Sequence, residues 1–245
     1  MTSIAVIVSI SFFVVFLAFL YVGVPWIYKR CSTALLNRKA AKAGVLILTF
    51  DDGPGSYLTP AVLEILAQYN AKATFFLLGR NIVGRESIVR RIAAAGHQIC
   101  SHGYDHLNYW KVSPFRAISD IKRGWQSIDK TLGKTASAYP FRPPYGKLNL
   151  VCLLYLLVWR VPIFYWTLVS GDTWPAERRD SRRVAAALLS GGAGGAVVLA
   201  HDFDRTDSEI SKMVLDTIDL ALSAAKEKGM RVVTLSELMG HKREV

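Results

Sequence analysis

The residues best suited to chemistry are Asp51 and Asp52. An apolar run of strand length, residues 45–50, ends at these adjacent carboxylates, and Gly53 and Pro54 follow at once. Turn chemistry alone explains many such patterns, because Asp caps turns and glycine admits positive φ. Neighbouring side chains at a strand end point different ways, however, so one carboxylate can hold a metal while the other faces a bound water. The chain offers further ligands. His102 and His106 stand three residues apart in SHGYDH, a metal-ligand spacing, and two imidazoles with one carboxylate make a zinc-type site with an open position. Taken singly, each histidine reads as a polar surface or core residue, and His97, beside Gly96, keeps that structural role. Arg142 lies in FRPPYG, where two prolines stiffen the loop, so its guanidinium suits a bidentate hold on a carboxylate. Two more polar clusters contain Asp172 with Trp174, and Leu199 with His201 and Asp202.

These clusters fall at one kind of place. The hydrophobic pattern predicts strands over 45–50, 73–78, 97–101, 137–141, 163–169, 196–200 and 230–235. Between them it predicts helices: one capped by Thr59 with Pro60 at its first position, then 86–95, then one from Ser113-Pro114 to a stop at Gly133. Further helices follow over 148–159, over 182–189 up to a Gly191-Gly192 break, and over 208–228, with a final turn from residue 236. Alternating strands and helices imply a parallel sheet, and seven or eight such units tend to close into an α/β barrel. An open doubly wound sheet stays as the alternative, weakened because neither GxGxxG nor GxxxxGK[ST] occurs. All five polar clusters then sit at C-terminal strand ends, the catalytic face of a barrel.

The 245 residues, 51% of them hydrophobic, can hold one full domain. No charged side chain occurs in residues 1–28, which predicts a transmembrane anchor, since about 20 apolar residues span a bilayer. A cleaved signal peptide is the rival, but it has a shorter apolar region behind a basic start. Residues 29–43 read as a basic juxtamembrane linker, 44–240 as the folded domain and 241–245 as a tail. Lys29, Arg30, Arg38, Lys39 and Lys42 all follow the apolar segment, so the positive-inside rule puts the domain in the cytoplasm of a single-pass, inner-membrane protein. The same charges suit anionic headgroups. A net charge of +11 raises nucleic acid as a partner, but no binding motif is present, and a membrane surface or phosphorylated substrate accounts for it better. Three scattered cysteines make neither a disulfide framework nor a zinc cluster.

In order and spacing, TFDDGP, His102-x3-His106, Arg142-Pro-Pro-Tyr-Gly146, Asp172 with Trp174, and Leu199-x-His201 resemble the five motifs of NodB-type polysaccharide deacetylases, carbohydrate esterase family 4. The resemblance implies a distorted barrel that removes N-acetyl groups from amino sugars with one divalent metal ion, zinc or else cobalt, nickel or manganese. It implies Asp51 as general base, Asp52, His102 and His106 as metal ligands, Arg142 as the residue orienting the base, His201 as acid and Asp172 as its tuner. Tyr145, Trp174 and Leu199 would line the substrate. The fourth motif departs from the pattern: where many members carry an earlier Asp, this chain has Val169 or Ser170, which hints at a substrate unlike long polymers.

A cytoplasmic domain has no cell-wall polymer within reach, so an N-acylated, polyprenyl-phosphate-linked amino sugar is the expected substrate. The apolar 148–159 segment is too short to span but able to dip into lipid, and Arg178, Arg179, Arg182 and Arg183 are candidate phosphate contacts. A buried helix and a solvated basic loop are the plainer readings of those two features. An outward-facing peptidoglycan or chitooligosaccharide deacetylase is the alternative enzyme, and a catalytically dead carbohydrate-binding protein the alternative from another class.

Overall fold

The computed structural model describes residues 2–135, 138–190 and 194–240. At its centre is β1 (Val45–Asp51), buried along its whole length. It pairs in parallel with β2 (Thr74–Leu77), β5 (Ala196–His201) and, at its lower end, β6 (Arg231–Val232). Outside these lie β3 (Gln98–Ser101) on β2 and β4 (Leu168–Val169) on β5. Two single-residue parallel bridges, Ser101 to Phe141 and Phe141 to Ile163, then join β3 to the segment that leads into β4. The ring is thereby closed, and the fold is the distorted barrel that the strand–helix alternation predicts. The expected strands at 137–141 and 163–169 shrink to these bridges and β4. Pro140, Pro143, Pro144 and Pro162 crowd this part of the chain, and proline gives no N–H to a ladder. Ser137, the Gly191-Gly192 break and the 241–245 tail lie outside the described residues.

Alternation along the strands divides the core. Val45 and Ile47 join Phe76, Cys100, Phe164, Val197 and Val233 in the lumen, while Leu46, Leu48, Phe50, Phe75 and Val198 pack outward against the helices. The helical layer comprises α3 (Leu58–Gln68), α4 (Gly79–Ile82), α5 (Glu86–Ala94), α6 (Pro114–Leu132), α7 (Leu150–Val158), α8 (Arg183–Leu189), α9 (Ser208–Glu227) and α10 (Leu235–Met239), preceded by α1 (Thr2–Ala18) and α2 (Val24–Ala43). The Ser113 side chain caps α6 and Gly133, at φ 67°, ends it. Asn149 caps α7 by accepting from the Cys152 N–H. The 148–159 helix is not fully buried: Cys152, Leu153 and Leu156 face inward, and Val151, Leu154, Leu157 and Val158 are exposed.

The N-terminal region corrects the expectation of an anchor ending at residue 28 and a linker over 29–43. Residues 29–43 are helical. A π-helical turn, Phe19–Gly23, joins α1 to α2 without a break. Along α2, Leu36 and Ala40 are buried against Val45, Ile47, Val233 and Leu235, while Arg38 and Lys42 face solvent. Arg30, Arg38 and Lys42 are the outer face of a packed helix, and Lys29 and Lys39 are partly buried along its sides. Residues 4–43 form one helix long and apolar enough, by its first half, to cross a membrane. The end of α2 packs at the start of β1, where Ala40 lies against Gly195, and its first turns reach the catalytic-face loop, where Lys29 lies against Gly146.

Candidate active site

β1 delivers Asp51 to the mouth, in register with His201 on β5. Beneath it lies Arg142, wholly buried, brought in by the loop after Phe141. One guanidinium nitrogen donates to Asp51 Oδ1 at 2.7 Å and Thr49 Oγ1 at 2.8 Å, and the other donates to the Tyr165 carbonyl at 2.9 Å. Its plane stacks 3.9 Å from the Phe76 ring centroid. The expected bidentate hold is therefore a single contact, because the second nitrogen is committed to Tyr165. Burial raises the Asp51 pKa against the opposing pull of Arg142 and His201. The carboxylate is made more basic while its orientation is fixed.

Asp52 takes a left-handed conformation, φ 69°, with its carbonyl accepting from Asn81. Its Oδ1 lies 3.5 Å from His102 Nε2 and 3.3 Å from His106 Nε2, and one ligand atom from each of the three residues falls within 4.8 Å of the others. The Arg142 carbonyl is 2.7 Å from His102 Nδ1. A carbonyl only accepts, so Nδ1 carries the proton and Nε2 is left as a lone-pair donor. Burial pushes the His102 pKa down to about 3, which keeps that imidazole neutral. Asp52 Oδ1 is itself buried with no hydrogen-bond partner. An orphaned carboxylate oxygen between two imidazole nitrogens, one of them oriented through its far side, fits a divalent cation.

On the neighbouring strand β5, His201 Nδ1 lies 3.0 Å from Asp172 Oδ2. Burial alone would depress this imidazole, but the hydrogen bond and charge of Asp172 outweigh it and its pKa is raised. Asp172 in turn accepts from Arg205 at 2.6 Å and from the Ser170 hydroxyl, and Arg205 also donates to the Asp172 carbonyl at 2.8 Å. Burial works against the Asp172 charge, yet His201, Ser170 and Arg205 hold its pKa below the usual carboxylate range.

The rim holds the remaining sequence candidates. Tyr145, at φ 57° and exposed, lays its ring 4.5 Å from the His106 ring. Leu199 sits on β5 with only its edge exposed. Trp174 covers Gly171 and is held by two of the four loop arginines: Arg179 Nε donates to its carbonyl at 2.8 Å, and the Arg183 guanidinium lies 4.6 Å from its ring. Arg178 and Arg182 are exposed.

Sequence reasoning assigns no role to four residues: Ser170, Asp202, Asp204 and Arg205. Ser170 and Arg205 complete the shell of Asp172. Asp202, next to His201, is buried and accepts from the Thr59 hydroxyl at 2.6 Å; its carboxyl presses on Gly53, where no Cβ would fit, and burial raises its pKa to about 7. Thr59 is thereby diverted from the cap assigned to it, and α3 starts a residue before it with Tyr57 at the N-cap position. Its free N–H groups are met instead by Asp204, which accepts from Ser56, Tyr57 and Leu58. The signal is the acidic alternation HDFDR at the end of β5, visible in sequence but without its partners.

A family model described as polysaccharide deacetylase matches residues 38–156. The peptidoglycan-N-acetylglucosamine deacetylase of Listeria monocytogenes is 33% identical over 200 residues, 82% of this chain but 40% of that protein, so the chain spans well under half of that relative. A peptidoglycan-N-acetylglucosamine deacetylase of Bacillus cereus is 33% identical over 197 residues, 80% of this chain and 69% of that one. A solved peptidoglycan N-acetylglucosamine deacetylase structure superposes with a TM-score of 0.73 at 30% identity, covering 85% of this chain and 97% of its own.

Proposed function

Since the chain belongs to the polysaccharide deacetylase family, we propose that it is a membrane-anchored, metal-dependent N-deacylase that hydrolyses the N-acetyl or N-formyl amide of an amino sugar. One observation carries this reading: a basic carboxylate and an acidic imidazole, Asp51 and His201, stand in register on adjacent strands at one mouth, beside the Asp52, His102 and His106 cluster. A divalent cation on that cluster, zinc by its donor set with cobalt, nickel or manganese also suited, supplies polarisation of the amide carbonyl and acidification of a water. Asp51, oriented by Arg142, accepts the proton of the attacking water. An amine leaves poorly, and His201, kept protonated by Asp172, delivers a proton to the departing nitrogen. Tyr145, Leu199 and Trp174 bound the sugar.

For the substrate, the start of α2 beside the mouth supports an amino sugar presented at the membrane, with α1 as anchor and a polyprenyl-phosphate carrier as the ligand's other half. The charge asymmetry around α1 supports a domain on the cytoplasmic side. The second reading, an outward-facing peptidoglycan deacetylase, is favoured by the names of the relatives. Acetate and formate released by detergent-purified protein from a polyprenyl-phosphate N-acetylhexosamine, a peptidoglycan fragment and a chitin oligomer separate the two. Release from any of the three, lost in Asp51→Asn, supports deacylation; no release from any, in protein shown to carry metal, overturns it.

A further inference from the structure

Beside the catalytic cleft, divided from it by the Tyr145 ring, lies a cavity of about 230 Å³ bounded by Trp26, Lys29, Trp110, Tyr145 and Lys147. Two of these residues come from the first turns of α2, outside every motif of the sequence. Lys29 Nζ lies 4.8 Å from the Trp166 ring centroid and 5.4 Å from that of Tyr165, and rests on Gly146, where a Cβ would collide with it. Lys147 Nζ lies 4.9 Å from the Trp110 centroid. Neither ammonium is within ion-pair distance of a carboxylate among the described residues. Burial, and then the repulsion of Lys147, lowers the Lys29 pKa. Two like charges packed on aromatic faces beside one cavity, without a carboxylate to pair with, suit an anion. An uncharged polysaccharide would have no use for them. The loop arginines serve less well, since Arg179 and Arg183 are engaged with Trp174 and the other two stand open to solvent.

The geometry points to a phosphate subsite in which Lys29 and Lys147 hold the phosphate of a phosphorylated amino sugar whose N-acyl group lies across Tyr145 in the catalytic cleft. This rests on the deacylase reading and narrows its substrate to a sugar phosphate, free or carrier-linked.

The test compares kcat/KM for wild type, Lys29→Ala, Lys147→Ala and Lys147→Arg on uncharged N,N′-diacetylchitobiose, N-acetylglucosamine 1-phosphate and a polyprenyl-phosphate N-acetylglucosamine. The expected result is that each Ala variant lowers the ratio of phosphorylated to uncharged turnover about tenfold through KM, the scale of one charge-assisted hydrogen bond, and that Lys147→Arg restores it. A fall with both phosphorylated compounds identifies the phosphate alone as the ligand, and a fall with the lipid-linked one alone identifies the carrier's phosphate. N,N′-Diacetylchitobiose turnover with an unchanged ratio in both Ala variants overturns the subsite and leaves the deacylase standing. Calorimetric binding of N-acetylglucosamine 1-phosphate tests the subsite even where turnover fails: an affinity that Lys147→Glu does not weaken also overturns it.

Discussion

Replacing Arg142 with methionine leaves an unbranched apolar side chain but removes the fork that stacks on Phe76. Asp51, Thr49 and the Tyr165 carbonyl then lose their donor inside a fully buried site. Removing one partner of a buried ion pair costs about 3–5 kcal/mol. At about 2–4 °C per kcal/mol for a chain of this size, the melting temperature should fall by about 6–20 °C. The deficit should depend on pH. Without the cation, burial raises the Asp51 pKa further, so the native state holds its proton more tightly than the unfolded chain does. Stability is then present at low pH and lost as pH rises above the ordinary carboxyl value of about 4. Arg142→Met should therefore be closest to wild type near pH 5 and furthest from it near pH 8. The double variant Asp51→Asn/Arg142→Met, with neither charge of this pair left, should melt above Arg142→Met and lack its pH-dependent deficit. Thermal unfolding in detergent with chelator present measures all three. A drop for Arg142→Met that is the same at every pH, or a double variant no more stable, would refute the pairing.

Chelation should abolish deacylation, and Asp52→Asn should weaken metal retention by tenfold or more, on the order seen for losses around a metal centre; elemental analysis showing wild-type occupancy in that variant would remove Asp52 from the ligand set. With His201 as the proposed acid, activity should be lost as pH rises through its raised pKa. Asp172→Asn should move the alkaline limb of kcat/KM to lower pH, and a limb that stays in place would mean that another group donates the proton. Burial, with Lys72 second, pushes His97 down to about 4. Because the unfolded chain binds that proton more readily, the native state loses on the order of 2 kcal/mol between about pH 6.5 and 4, discounted for partial solvent access. His97→Asn should flatten the acid side of the melting curve, and an unaltered slope would count against the assignment. Asp204→Ala leaves three N–H groups ahead of α3 without an acceptor and should cost about 1–2 kcal/mol in thermal unfolding; an unshifted melting temperature would show that water replaces it.

What the sequence disclosed followed whether the signal was local. Ser113-Pro114 and Gly133 carry their own capping chemistry, so α6 begins and ends where the sequence places it. DDGP, the paired histidines and FRPPYG end strands whose partners repeat the pattern, so their convergence follows from the barrel. Thr59 has an equally good local signal, yet its hydroxyl is drawn to Asp202, 143 residues away. Arg205 and Ser170 act only through Asp172, and nothing in their spacing announces that. Residues 29–43 read as a linker because five cations conceal two inward positions, Leu36 and Ala40, four residues apart.

The unbroken passage from α1 through the π turn into α2 acts as a stiff stem. Lys29, which touches the catalytic-face loop at Gly146, is six residues past Gly23, about 9 Å along a helix. With α1 in a bilayer, the mouth is held at a set height, about the depth of the headgroup layer, with little freedom to reach outward. Encounter then becomes a two-dimensional search, governed by the substrate's mole fraction in the membrane rather than by its bulk concentration. Diluting a lipid-borne substrate with inert detergent at constant total amount should slow such an enzyme, a surface-dilution behaviour that a flexible tether would not impose.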